Sequence, residues 1–242
     1  MISETIIHRC PSCSSTDIIR NGTNRCGNPQ CHCKNCGAYR TLNPKKGYSP
    51  DERKKVLSAC RERVSMRGVQ RIFGVCRRTL SVRLKQEATR LPPLKETLLP
   101  YKPGDTLELD ELCGFVSRRK NKRWLWIALC RRTRQVIAFV IGDRGILSCR
   151  KLWRKIHEDY RRAWTFSDFW KAYESVFPKE THQSVGRETG ETAHVERWNN
   201  TLRQSLGRFV RKTLSFSKSD TFHHISVRWF INLYNSGLSL TT

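Results

Sequence analysis

The chain has 242 residues, enough for one or two domains that can each bury a core. Lys and Arg number 46 against 21 Asp and Glu, a formal charge of +25, which points to a polyanionic partner, most often nucleic acid. The longest uninterrupted apolar stretch, Trp124 to Cys130, has seven residues against the roughly 20 of a membrane span, and Met1-Ile2-Ser3-Glu4 lacks the basic and apolar regions of a signal peptide, so a cytoplasmic protein with no membrane partner is expected.

Residues 1–48 hold six of the eleven cysteines, between Cys10 and Cys36, and many turn formers (Asn21-Gly22, Gly27-Asn28-Pro29, Asn43-Pro44). This reads as metal binding in a reducing compartment, not as a disulfide scaffold. Cys10-Pro-Ser-Cys13 and Cys33-Lys-Asn-Cys36-Gly37 are two C-x2-C knuckles separated by nineteen residues. Each knuckle aims two thiolates at one tetrahedral ion, so a small zinc-ribbon-like module with a structural Zn2+ on Cys10, Cys13, Cys33 and Cys36 is expected. Cys26, Cys31, His8 and His32 compete as ligands.

Residues 49–90 form a basic helical region. Ser49 suits a helix cap, with Pro50 at the first position and Asp51 and Glu52 in the first turn. Helices at Asp51 to about Val64, Arg67–Phe73 and Arg77 to about Gln86, with a turn at Gly74-Val75, suggest a helix-turn-helix whose shared core is Val69, Ile72, Val75, Leu80 and Leu84. Arg77, Arg78, Ser81, Arg83 and Lys85 would then face DNA, where Arg reads guanine and Lys or Ser holds phosphate. A basic hairpin with solvated charge is the plainer alternative. Residues 91–104 carry Pro92, Pro93, Pro100 and Pro103 and read as a stiff linker.

From residue 105 to 242, strand patterns at Leu107–Val116, Trp124–Cys130 and Gln135–Ile141 precede alternating helices and strands: Leu147–Tyr160 helical, Ala163–Phe166 extended, Phe169–Val176 helical, His182–Val185 extended. Helices at Ala193 to about Leu206 and Asp220 to about Asn235 close the chain. The pattern predicts a mixed α/β sheet with helices on its faces. Residues 151–200 are nearly neutral, with 9 basic and 8 acidic side chains, in an otherwise basic protein. Something there requires carboxylates.

Asp110 lies inside an expected central strand, where a carboxylate is costly unless a donor or metal satisfies it. Asp168 directly follows a strand, at the end where open α/β sheets place ligand sites. Glu196 sits on a helix whose buried stripe is Val195, Trp198, Leu202 and Leu206, and it shares another face with Asn200 and Arg203. The three could converge on two divalent ions, for which hard oxygen ligands suit Mg2+. Each could also be an ordinary salt-bridge partner, and Glu108 and Glu111 compete with Asp110. Glu188 and Glu191, in the Gly-flanked loop before the helix, are expected to lie outside the chemistry. Arg197, Arg203, Arg208, Arg211, Lys212 and Lys218 would neutralise phosphate near the site or form a solvated basic face. His194 would orient a metal-bound water or serve structurally.

The strings His194-Val-Glu196-Arg197-Trp198-Asn199-Asn200-Thr-Leu-Arg203-Gln204 and Arg211-Lys212-Thr-Leu-Ser-Phe216-Ser-Lys218-Ser, together with Cys10-Pro-Ser-Cys13 and Arg20-Asn21-Gly22, resemble transposases of the insertion-sequence-one family of bacterial mobile elements. The resemblance implies a multidomain protein: zinc finger, helix-turn-helix, and a ribonuclease-H-like domain with an Asp-Asp-Glu triad matched by Asp110, Asp168 and Glu196. It also implies Mg2+ or Mn2+ as catalytic ions, a homo-oligomer on double-stranded DNA, binding to the element's terminal inverted repeats, and strand cleavage followed by strand transfer. Family members often join two reading frames by translational frameshifting, whereas this chain is continuous. A DNA-binding regulator without catalysis and a host-adapted nuclease of the same fold are the competing readings.

Overall fold

In a computed structural model the described residues are 2, 4–24, 27–42, 47–62, 64–210, 212 and 214–239. The chain forms two compact units, 1–55 and 56–242.

The first unit is a three-stranded antiparallel sheet in the order β1 (Ile18–Thr23), β2 (Pro29–Cys33), β3 (Tyr39–Thr41). Its only buried apolar side chains among the described residues are Cys10, Cys31, Cys33 and Leu42. So small a core cannot offset the entropy of ordering the strands, which is why the expected metal matters to this unit.

Helix α1 (Pro50–Arg61) starts as its sequence predicts, with a capping box in which Glu52 N donates to Ser49 Oγ (3.2 Å) and Ser49 N donates to Glu52 Oε2 (2.7 Å). The division between the units falls within it. Helix α2 (Met66–Phe73) is capped by Ser65 and stops at Gly74, whose φ of 66° is the left-handed conformation glycine accepts without cost. Helix α3 (Arg77–Arg90) runs four residues beyond the expected Gln86. Val69, Val75, Leu80 and Leu84 are buried as expected, but Ile72 is 66% exposed. It lies on the same side of α2 as Gly68 and Val69 but one turn further on, where nothing in the unit covers it.

The second unit is built on a five-stranded sheet in the order β6-β5-β4-β7-β8, formed by β4 (Thr106–Phe115), β5 (Lys122–Cys130), β6 (Val136–Gly142), β7 (Trp164–Ser167) and β8 (His182–Ser184). The first three are antiparallel, and β7 and β8 add parallel to β4. Helices α4 (Ile146–Lys155) and α5 (Lys171–Glu174) cover one face over Leu107, Leu109, Trp126, Leu152 and Tyr173. Helices α6 (Ala193–Ser205) and α7 (Asp220–Ser239) cover the other over Leu112, Ile127, Trp198, Leu202 and Ile231. Burial on both faces explains the seven-residue apolar run of β5, which alternation would have interrupted. The predicted helix over Phe169–Val176 shrinks to the four residues of α5, and that over Leu147–Tyr160 stops at Lys155 before a short 3-10 turn, Glu158–Arg162.

The proline-rich segment is fastened to this sheet. Gln135 Nε2 donates to Thr97 O (2.8 Å), Leu99 N donates to Gln135 Oε1 (2.8 Å), and Tyr160 OH donates to Leu99 O (2.9 Å). The edge strand β6 is guarded where it starts: Val136 N donates to Asn235 Oδ1 and Asn235 Nδ2 to Val136 O, both at 3.0 Å. No helix among the described residues is long and apolar enough to cross a membrane.

Candidate functional site

The two cysteine knuckles fold identically. In each, the N–H four residues after the first cysteine donates to that cysteine's carbonyl at 2.9 Å: Ser14 to Cys10, and Gly37 to Cys33. Ser14 and Gly37 both have positive φ, 60° and 68°. Gly37 adopts this freely, whereas Ser14 holds a conformation that disfavours a side chain. The turns bring Cys10, Cys13, Cys33 and Cys36 together, with all four sulfurs within 4.8 Å of one another. Two of the separations, Cys10–Cys36 at 3.7 Å and Cys13–Cys33 at 3.5 Å, approach the ~3.8 Å edge of a tetrahedron with ~2.3 Å metal–sulfur bonds. N–H groups of Ser12 and Cys13 directed at Cys10 lower its thiol pKa, while, against the pull of the Ala38 N–H, the neighbouring thiols and burial push Cys36 up, so one thiolate shares its charge within the cluster. Among the described competitors, His32 stacks on Tyr39 at 4.2 Å and Cys31 is buried outside the cluster; Cys26 lies outside the described residues. The four thiols fit a soft or borderline divalent ion.

The carboxylates assemble on β4. Residues 108, 110 and 112 face α6, and 107, 109 and 111 face α4 and α5. That alternation separates the three competing acids. Glu111 points away from α6, accepting from Arg144 (2.5 and 2.8 Å) and from Tyr173 OH (2.9 Å), with Arg144 sandwiched between Trp124 and Trp170. Glu108 is fully buried and caps α6: the N–H groups of His194 (2.9 Å) and Val195 (3.0 Å) donate to its Oε2, while Arg131 (2.8 Å) and His194 Nδ1 (2.6 Å) engage Oε1. Asp110 has no cationic partner among the described residues. It accepts from Glu111 N (2.8 Å) and from Asn199 Nδ2 (2.5 Å).

Two pins therefore set α6 over β4, Glu108 at the helix start and Asp110 one turn along through Asn199, with Glu196 between them. The register Glu108↔Phe166 in the parallel pair β4–β7 puts Asp168, two residues past Phe166, level with Asp110. Burial, then the charges of Glu111, Asp168 and Glu196, push Asp110 up to about 7, against the pull of the Glu111 N–H. The sequence-derived trio is thus gathered at one end of the sheet. It is looser than the cysteine cluster, because among the described residues no three carboxylates have oxygens within 4.8 Å of one another. Asp168 is exposed and accepts from Trp170 N (3.1 Å), and Glu196 faces Arg187 at 3.5 Å. The donor set is all oxygen, and the buried Asn199 Oδ1 beside Asp110 has no hydrogen-bond partner. An orphaned oxygen beside crowded carboxylates fits a hard cation.

Three participants escaped the sequence reading. Asn199, three residues after Glu196, carries the visible signal of i, i+3 spacing, although Asn200 was the neighbour singled out. Arg131 and Glu191 give no local signal. Arg131 Nη2 donates to Glu191 Oε2 (2.6 Å), so Glu191 braces the Glu108 clamp and is not the bystander expected of its loop. His194 serves that clamp, which is the structural reading of it.

Of the expected DNA-facing residues, Arg77, Arg78, Arg197, Lys212 and Lys218 are exposed, Ser81, Arg83 and Arg203 half-buried, and Arg211 lies outside the described residues. Lys85 lies over the Phe222 ring of α7 (5.7 Å), and Lys218 over Phe216 (3.2 Å). Arg208 donates to Ser217 Oγ (3.3 Å) and Phe222 O (3.1 Å), so it holds the α6–α7 connection together.

Residues 106–235, which contain β4 to most of α7, match the IS1 transposase family. The Insertion element IS1 protein InsB of Shigella flexneri is 35% identical over 126 residues, covering 52% of this chain and 93% of that protein. The IS1 4 protein InsB of Escherichia coli strain K12 is 34% identical over 126 residues, 52% of this chain and 73% of its own. The iso-IS1n protein InsB of Shigella dysenteriae is 35% identical over 126 residues, 51% and 92% respectively. With more than half its length matched, all of it in the unit that carries the three carboxylates, the chain belongs to the IS1 transposase family.

Proposed function

We propose that this transposase cuts and joins DNA strands at Asp110, Asp168 and Glu196 within a ribonuclease-H-like domain, using Mg2+ or Mn2+. The observation that carries the reading is Asp110: unpaired by any cation among the described residues, level with Asp168, and under the charge of both Asp168 and Glu196. Crowded carboxylates of this kind are stable only if protonated or bound to a cation. Two divalent ions, when bound, supply Lewis-acid stabilisation of the attacking and leaving oxygens of an in-line phosphoryl transfer. Asp110, Asp168 and Glu196 hold them, Asn199 orients Asp110, and Glu108 fixes the helix that carries Glu196. The exposed Arg197 beside Glu196 meets the DNA backbone.

The four thiols hold a structural Zn2+, and the zinc module with α1–α3 recognises the element's terminal repeats. Replacing Arg77 or Arg78 with Ala should cost about 1–3 kcal/mol of preference for the repeats if that side chain reads a base. Incubating the purified protein with Mg2+ or Mn2+ and DNA carrying the element's own ends tests the whole reading. Metal-dependent nicking followed by joining to a second duplex is expected. Nicking without joining would make the protein a nuclease, and binding without nicking a regulator.

A further inference from the structure

Away from the carboxylates, a cleft of about 560 Å³ runs along the outer edge of β6, between the end of α4, the turn Leu94–Thr97 and α7. Five cations, Lys95, Arg154, Lys155, Arg161 and Arg228, line it with His224, and Glu158 is the single carboxylate in its wall. None of these cations forms an ion pair among the described residues. Some arginines elsewhere in the same unit are paired with carboxylates: Arg131 with Glu108, Arg132 with Asp105, Arg144 with Glu111, Arg123 with Asp220.

Several cleft cations are fixed by carbonyl oxygens instead. Arg228 Nη2 donates to Leu91 O (2.9 Å), Arg161 to Ile156 O (3.1 Å) and Arg154 O (2.9 Å), and Lys155 Nζ to Phe139 O (3.4 Å). A carbonyl sets a cation's position without cancelling its charge. Arg154 and Lys155 suit the C-terminus of α4, where cations complement the helix dipole, but that does not account for Lys95, Arg161 or Arg228. Repulsion is registered inside the cleft: burial, then the charges of Lys155 and Arg228, hold His224 below the usual histidine range. A preorganised concave surface with unneutralised charge from four chain segments is built for a polyanion.

We infer that this cleft is a second binding site for the phosphodiester backbone of duplex DNA. Asp110 pairs with Ile127, and Ile127 with Phe139, which borders the cleft, so the site begins two strand spacings, roughly 10 Å, across the sheet from Asp110. The inference rests on DNA being the substrate, but not on the catalytic assignment.

Salt-titrated binding of the full-length protein to a short duplex of arbitrary sequence tests it. Lys95→Gln/Arg154→Gln/Lys155→Gln should lower the slope of log K against log salt by roughly two to three units. Lys95→Arg/Arg154→Lys/Lys155→Arg keeps the charge and should restore the parent slope, separating lost phosphate contacts from a disturbed fold. Arg118→Gln/Arg119→Gln/Lys120→Gln removes the same charge from the exposed β4–β5 turn and should change the slope by less than one unit. The slope is read without divalent ions, where no strand is cut, so a failed catalytic reading and a failed cleft are read separately. An unchanged slope in the Gln triple, or an equal fall in the turn triple, would overturn the site.

Discussion

The cysteine cluster and the carboxylate trio are both groups of would-be metal ligands, yet they are assembled in opposite ways. Each cysteine pair is set by a five-residue turn, and the four sulfurs converge without help from a core. The three carboxylates come from a strand, a strand end and a helix, and stay apart, with a proton on Asp110 as the alternative to a cation. A closed thiolate set suits an ion that holds structure; an open oxygen set suits ions that must also receive a substrate. On the proposed reading, stability and chemistry depend on different sites in different units.

Breaking the cysteine side should have the largest effect. Structural zinc in small modules contributes about 10–16 kcal/mol, so Cys10→Ser or Cys36→Ser should lower metal stoichiometry and unfold residues 1–48 while the sheet unit still melts cooperatively. Cys31→Ser should keep the metal. Full occupancy in a Cys33→Ser/Cys36→Ser protein, measured by elemental analysis, would reverse the ligand assignment.

On the carboxylate side the next largest effect belongs to Glu108, which caps α6 and is not among the proposed ion ligands. Glu108→Ala leaves Arg131 without its buried partner and two α6 N–H groups without an acceptor, costing roughly 3–5 kcal/mol in denaturant melts. A loss below 1 kcal/mol would show that α6 is held by its apolar stripe alone.

Asp110 should behave the other way. Its pKa of about 7 lies above the ordinary ~3.9 of the unfolded chain, so between about pH 4 and 7 the folded protein keeps a proton that the unfolded chain has released. Metal-free stability from this group is present at low pH and lost as pH rises through 7. In chelator at pH 8, Asp110→Asn should melt above the parent, by roughly 2–4 °C for each kcal/mol relieved, and the gap should close towards pH 4. A lower Tm for the variant at pH 8 would mean that Asp110 is an ordinary structural acid.

The smallest effect separates two neighbours. Glu191→Gln loses a partly exposed partner of Arg131 and should cost about 0.2–1 kcal/mol, whereas Glu188→Gln should cost less than that in the same melts. Equal losses would dissolve the distinction between them.

How much of this was legible follows from range. The knuckles, the Ser49 capping box and the Gly74 stop are local, and the sequence shows them directly. Asp110, Asp168 and Glu196 could be picked out because strand ends and a helical stripe are periodic features, and the family strings reinforce them. Their supports could not. That Glu108 caps a helix 86 residues away, that Arg131 links it to Glu191, and that Glu111 turns to Arg144 instead depend on which face of β4 meets which helix, settled only by the completed sheet. Ile72 was misassigned for the same reason: periodicity gives a residue's face but not where its cover ends.

Strand transfer by single and double variants tests the catalytic trio most directly. With DNA carrying the element's ends and Mg2+ or Mn2+, Asp110→Asn, Asp168→Asn and Glu196→Gln should each fold, bind the ends and retain zinc, while cutting and joining fall at least about a thousandfold, since ion-mediated charge stabilisation supplies several kcal/mol. Pairing any two should add little, because a broken ion site has little left to lose. Glu188→Gln should join ends like the parent. A triad variant that joins ends like the parent, while Glu188→Gln does not, would place the chemistry elsewhere.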